Sequence, residues 1–232
     1  MPNDGDFVQI EYTGKTADGK VFDTTDEAAA KKAGIRGEDR QYGPQLVIIG
    51  KAQVLPGIEQ AVRTMKEGEE KELALPPEKA FGLRNKDLIR IMPLSEFRKQ
   101  RVDPVPGLVL SMDDHMATVR SVQSGRVLVD FNHPLAGEQV TYNLKFSRHL
   151  KTTEEKANAL LIANKMKGSV KSSPAGLEVA FEEASNTPEY ILRRKAFLDS
   201  VVAFLPEVKE IKINEKIAGH ASAQAGPQPG KQ

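Results

Sequence analysis

The sequence predicts an α+β fold: a curved antiparallel sheet wrapped on one short helix, a small mostly-β domain inserted into it, and a C-terminal α/β sandwich-like domain. Three observations carry this reading. The strand pattern that opens the chain breaks off near residue 85 and resumes at Gln139, as an excursion from one sheet does. A compact helix beginning at Pro56 lies among those strands. Beyond Thr152, capped amphipathic helices alternate with short strands.

The elements follow in order. Phe7 to Tyr12 alternates Phe7, Gln9 and Glu11 with Val8, Ile10 and Tyr12, the period of a half-buried strand. Asp18-Gly19 supplies a hairpin turn into a second strand, Lys20 to Asp23. Ala28 to Ala33 reads as a short helix ended by Gly34, and Pro44 to Ile49 as a strand. Pro56-Gly57 opens a helix with Ile58, Ala61, Val62 and Met65 on one face and Gly68 just past its end. Glu69 to Leu75 returns as a strand that Pro76-Pro77 stops.

From about Asn85 the texture changes. An apolar run from Leu88 to Phe97 precedes a hairpin: Thr118 to Val122, a Ser124-Gly125 turn, then Arg126 to Phe131. Gln139 to Leu150 resumes the first sheet. Thr152 and Glu155 have capping-box spacing, and Thr187-Pro188 starts another helix. That helix carries two apolar stripes, Ile191, Leu198, Val202 and Leu205 beside Tyr190, Phe197, Val201 and Phe204, where a surface helix needs one. Val170, then Leu177, Val179 and Phe181, suggest two strands; Ile211 and Ile213 suggest a closing one. The expected domains are 1–85 with 131–150, an insert at 86–130, a C-terminal domain at 151–217 and a disordered tail at 218–232.

Composition narrows the function classes. The 232 residues carry a net charge of +1, so no global field draws the chain to nucleic acid or an anionic membrane. With no cysteine there is no disulfide, thiolate or Cys-zinc chemistry, which suits a reducing cytoplasm. The first residues lack the pattern of a signal peptide, and no apolar run is long enough to span a bilayer. His115, His133, His149 and His220 show no ligand spacing, so no metal is expected. Arg193-Arg194-Lys195 is most simply a solvated helix face.

Ile10-Glu11-Tyr12-Thr13-Gly14 and Gly19-Lys20-Val21-Phe22-Asp23-Thr24-Thr25 resemble the opening of the FKBP fold. So do Gln53-Val54-Leu55-Pro56-Gly57-Ile58-Glu59, Glu67-Gly68-Glu69 and Pro77-Glu78-Lys79-Ala80-Phe81-Gly82, in the family's order. Asn132-His133-Pro134-Leu135-Ala136-Gly137 resembles the segment that rejoins this domain in SlyD-type members, which carry an insert-in-flap chaperone domain. With its C-terminal extension the chain looks like the long archaeal members, though the His-rich tail of SlyD is missing.

The resemblance implies a peptidyl-prolyl cis/trans isomerase with chaperone activity on unfolded, proline-containing polypeptides. It implies no cofactor and a cytoplasmic location, and it suggests a homodimer through the C-terminal domain. Tyr12, Phe22, Val54, Leu55, Phe81 and Tyr142 would line the site and Ile58 its floor. Asp23 would face the reacting amide, and the Leu55 N–H would hold a substrate carbonyl. Ile58 stands where the best-known members have tryptophan, Phe81 where they have tyrosine, and Gln45 where an apolar residue is usual; these departures bear on macrolide affinity. Met92, Leu94, Phe97, Met112 and Met116 are the candidate chaperone surface, since thioethers adapt to many partners. Two blander readings stand beside these. The aromatic residues can be plain core and Asp23 a turn residue, and the fold can serve as a non-catalytic scaffold.

Overall fold

The computed structural model describes residues 1–112 and 115–216; the tail expected at 218–232, with Ile217 and His220, lies outside them. The chain divides into two compact units: residues 1–4 with Val8–Arg148, and residues 5–7 with the chain from His149 onward.

In the first unit β1 (Phe7–Thr16), β2 (Val21–Thr24), β4 (Glu70–Leu75) and β9 (Val140–Leu150) order as β2-β1-β9-β4, with β3 (Gln45–Ile48) paired to β1. The β1–β2 and β4–β9 pairs are antiparallel. Alternation decides the inner face: Val8 and Ile10 of β1, and Val140, Tyr142, Leu144 and Phe146 of β9, are buried. They close on α2 (Pro56–Val62), whose Ile58, Ala61 and Val62 join the same cluster. Pro56 sits at the first turn, where its missing N–H costs nothing. α1 (Glu27–Ala33) starts on the Asp26 carboxylate, which accepts from Ala28 and Ala29 N–H, and ends at Gly34 in a left-handed conformation that glycine adopts without a Cβ penalty.

Residues 86–130, expected as a small mostly-β insertion, form a sheet ordered β5-β8-β7-β6: β5 (Ile89–Pro93), β6 (Val109–Met112), β7 (His115–Gln123) and β8 (Arg126–Asp130), all neighbours antiparallel. α3 (Leu94–Lys99) covers one face. The apolar run from Leu88 is therefore a strand plus a short helix, which periodicity alone did not separate. A core of Phe97, Ala117, Val119, Val127 and Val129 lies apart from that of the first sheet. This corrects one expectation: Phe97, expected at a surface, is 3% exposed and is the largest side chain of this small core.

In the second unit α4 (Thr153–Ala163) begins with the predicted capping box. The Thr152 hydroxyl accepts from Glu155 N–H, and the Glu155 carboxylate accepts from Thr152 N–H. β10 (Gly168–Ser173) pairs antiparallel with β11 (Gly176–Phe181), and β11 pairs in parallel with β12 (Ile211–Glu215). The parallel pair needs a crossover, supplied by α5 (Pro188–Phe204). α5 is anchored on Phe181, whose ring meets Phe197 at 6.0 Å and Tyr190 at 6.2 Å, edge to face. Of its two apolar stripes, the one with Phe197 and Val201 is buried; of the other, Leu205 is buried and Leu198 half-buried, while Ile191 and Val202 are exposed, as is Leu192 beside them. Among the described residues no helix is long and apolar enough to cross a membrane.

Candidate functional site

At the end of the first sheet the aromatic residues gather into a cup. Tyr12 stands 5.7 Å from Tyr142, and Phe22 stands 5.7 Å from both Tyr142 and Phe81, all edge to face as ring quadrupoles prefer. Gly14 makes room for them. A Cβ there would lie 2.8 Å from Phe22 and 2.9 Å from Tyr142, so a side chain would push the rings apart. Val54 and Leu55 complete the wall, with Ile58 buried beneath. Leu55 is the N-cap of α2: its carbonyl accepts from Ile58 and Glu59 N–H at 2.9 and 3.0 Å. By position its own N–H falls outside the helix's hydrogen bonds.

Asp23 brings a carboxylate to this wall. Oδ1 is buried without an aligned hydrogen-bond donor, yet Arg40 Nη2 lies 2.5 Å away, so the pair is held by charge rather than by direction. Burial, then the nearby Asp23 charge, pushes the Tyr12 hydroxyl up to about 12; the same two causes raise Tyr142. Both phenols are neutral donors at physiological pH. Tyr12 spends its proton on Gln45 Oε1 at 2.9 Å, so Gln45, flagged as out of place in an apolar wall, is satisfied by the site itself. Three participants escaped the sequence reading: Arg40, Leu135, which packs against the same cluster, and His133. His133 stacks on Phe81 with centroids 4.3 Å apart and planes 2° from parallel. Nothing local in the sequence marks Arg40 as the partner of Asp23; only the fold joins them.

The insert is tied to this region at its neck. Asp130, 1% exposed, accepts from Arg84, from Arg120 Nε at 3.0 Å, and from Asn132 N and Nδ2 at 2.9 and 2.8 Å. Burial pushes this carboxyl up, but those donors outweigh it and hold it well below the usual range. Asn132 and Asn85 exchange two further bonds, both 2.8 Å, between the chain entering the insert and the chain leaving it.

The expected chaperone residues do not form one surface. Met92, Leu94 and Met112 are half-buried around Phe97; only Met116, 61% exposed, stands clear. The apolar groups in water are instead Ile91, Val105, Val109 and Met116. Register puts Ile91 opposite Leu128 and Val109 opposite Thr118, with Met116 two residues along on the same side. That is the sheet face opposite the one bearing Ala117, Val119, Val127 and Val129.

The profile of the family described as FKBP-type peptidyl-prolyl cis-trans isomerase matches residues 1–96, and one described as the IF domain of FKBP26 matches residues 90–135. A short-type peptidyl-prolyl cis-trans isomerase of Methanocaldococcus jannaschii is 37% identical over 141 residues, spanning 61% of this chain and 89% of that protein. The FKBP-type 16 kDa peptidyl-prolyl cis-trans isomerase of Escherichia coli K12 is 31% identical over 143 residues, 60% and 87% of the two chains. SlyD of Treponema pallidum, also an FKBP-type isomerase, is 28% identical over 168 residues, 69% and 85%.

Proposed function

The chain belongs to the FKBP-type peptidyl-prolyl cis-trans isomerases, and we propose that the cup of Tyr12, Phe22, Asp23, Val54, Leu55, Ile58, Phe81 and Tyr142 is where it turns Xaa-Pro bonds of polypeptide substrates. Rotation about that bond breaks amide resonance over a barrier of roughly 18–20 kcal/mol, and takes roughly tens to hundreds of seconds unaided. No covalent intermediate is needed. A site that binds the twisted amide better than the planar one lowers the barrier, and each ~1.4 kcal/mol of that preference is about tenfold in rate.

The proline ring enters the aromatic cup and leaves water behind, which removes solvent that favours the planar, more polar amide. The Leu55 N–H holds one substrate carbonyl. The observation that carries the reading is the Asp23 oxygen, buried among rings without an aligned donor. Arg40 pairs its charge at 2.5 Å, but no donor lies in line with it, and an acceptor in an apolar wall is costly to leave without one. It is tolerable where a substrate dipole completes it, and Arg40 holds the side chain in place. The test is isomerase kinetics on an Xaa-Pro peptide with Asp23→Ala: a folded variant with an unchanged rate removes Asp23 from the reaction.

The finer activity is chaperone capture. The exposed sheet face of the insert, with Ile91, Val109 and Met116 in water beside Leu128, takes up apolar segments of unfolded chains, and the cup samples their prolines. Tethering raises the local concentration of client at the cup. A second proposal is self-association through the exposed stripe of α5 in the C-terminal unit.

A further inference from the structure

His133 belongs to the motif that closes the insert, and nothing in the cup described so far uses it. Its ring lies flat on Phe81, 4.3 Å between centroids, while Phe81 in turn meets Phe22. The imidazole is oriented from several sides. Leu135 N–H donates to Nδ1 at 3.1 Å, which leaves the ring proton on Nε2. The backbone before it is fixed by the Asn132–Asn85 exchange. The turn after it is closed by Ala136 N–H on the His133 carbonyl at 2.9 Å, and docked by Gly137 N–H on the Gly82 carbonyl, also 2.9 Å. Partial burial lowers the affinity of the ring for a second proton, in keeping with the neutral tautomer. The side chain is nonetheless exposed at its edge, and among the described residues no protein acceptor receives the Nε2 proton.

A polypeptide bound across the cup buries carbonyls on both sides of the proline, and each needs a donor or loses its bond to water. The wall offers few. Phe22 and Phe81 have none, the Tyr12 hydroxyl is engaged by Gln45, Tyr142 is only 2% exposed and so sits deep beneath the rings rather than at the mouth, and the Leu55 N–H serves one side.

We propose that His133 is a substrate-binding residue whose Nε2–H, carried on the Phe81 ring, donates to a backbone carbonyl flanking the Xaa-Pro bond. This rests on the cup being the isomerase site. A donor preset by stacking, an Nδ1 bond and a doubly anchored turn needs little ordering when substrate arrives, which is what favours binding in a wet cleft mouth.

The substitution His133→Phe keeps a flat ring on Phe81 and removes the donor. On the full chain, with an Xaa-Pro-Phe nitroanilide tetrapeptide, kcat/KM is expected to fall about tenfold, the scale of one lost hydrogen bond, with far-UV circular dichroism unchanged. Adding Phe81→Tyr to that variant puts a hydroxyl on the adjoining ring and is expected to restore most of the loss. A His133→Phe rate within about twofold of the unaltered chain overturns the inference, since one hydrogen bond is worth more than that. So does a loss that Phe81→Tyr does not recover, because packing, not donation, is then at fault. Asp23→Ala is measured alongside: if it is silent the cup reading fails, whereas an active Asp23 with a silent His133 sinks only this inference.

Discussion

The cup and the insert sheet spend apolar side chains in opposite ways. In the cup, rings meet edge to face at 5.7 Å, Gly14 gives up its Cβ to admit them, and a half-buried carboxylate turns one oxygen inward. The insert has a thin core around Phe97 and leaves Ile91, Val109 and Met116 in water on its other face. The first arrangement suits discrimination between two shapes of one bond, which requires fixed geometry. The second suits capture of many sequences, which requires exposure and tolerance. Joining them are the Asp130 and Asn132 bonds at the neck.

Severing the two regions is expected to give the largest effect. Removing residues 88–129 and closing the gap with a short turn leaves Asp130 with Arg84, and Asn85 with Asn132. Catalysis of a proline-limited refolding reaction is then expected to fall about a hundredfold, because the effective concentration given by capture is lost. Activity on a tetrapeptide is expected to stay within a few-fold. Equal losses on both substrates would mean that the insert shapes the cup itself.

Next in size is the neck. Asp130→Asn leaves Arg84 and Arg120 facing each other without a counter-charge, a loss of about 2 kcal/mol after allowing for the water that both guanidinium groups still reach. The sign with pH follows from the lowered folded pKa of Asp130. Its contribution is fully present above the unfolded carboxyl value near ~3.9 and drains away as pH falls toward the folded one. Chemical denaturation from pH 7 to pH 3 should show the unaltered chain losing stability at the acid end and Asp130→Asn losing less. Parallel curves would deny Asp130 this role.

A smaller change breaks the cup alone. Asp23→Ala is expected to lower kcat/KM on the tetrapeptide about tenfold while leaving client capture intact, as measured by suppression of aggregation. Loss of both activities would contradict the proposed division of labour between the two regions.

Much of this was legible in the sequence. The alternation of Phe7 to Tyr12, the proline at Pro56, Gly34, the Thr152–Glu155 box and Thr187-Pro188 each mark a local rule that tertiary structure left standing. The aromatic wall was legible through its ordered motifs. What escaped depends on chain segments that only folding brings together. Arg40 reaches Asp23 from a loop, and His133 reaches Phe81 across the whole insert. Phe97 was misplaced for a related reason. In a short apolar run, thioether and aromatic residues look alike as surface or core until register is known, and α3 turns Phe97 inward. The two stripes of α5 could be seen, but not which of them the sheet would cover.

That helix carries the last and smallest prediction. Phe181 takes the stripe with Tyr190 and Phe197, so Ile191, Leu192 and Val202 are left in water, Val202 72% exposed. Full burial of one such side chain is worth about 1.5–3 kcal/mol, so a few of them on each of two chains suffice for a modest self-association. A two-fold pair is the simplest arrangement, because a single stripe can then cover its own copy. Val202→Asp places a charge in that contact at a position already largely in water. It is expected to change folding stability by no more than about 0.5 kcal/mol while halving the mass seen by light scattering at micromolar concentration. Tetrapeptide turnover should not move, since the cup lies in the other unit. A full chain that scatters as a monomer would end the dimer reading. A dimer that survives Val202→Asp would place the contact on another surface.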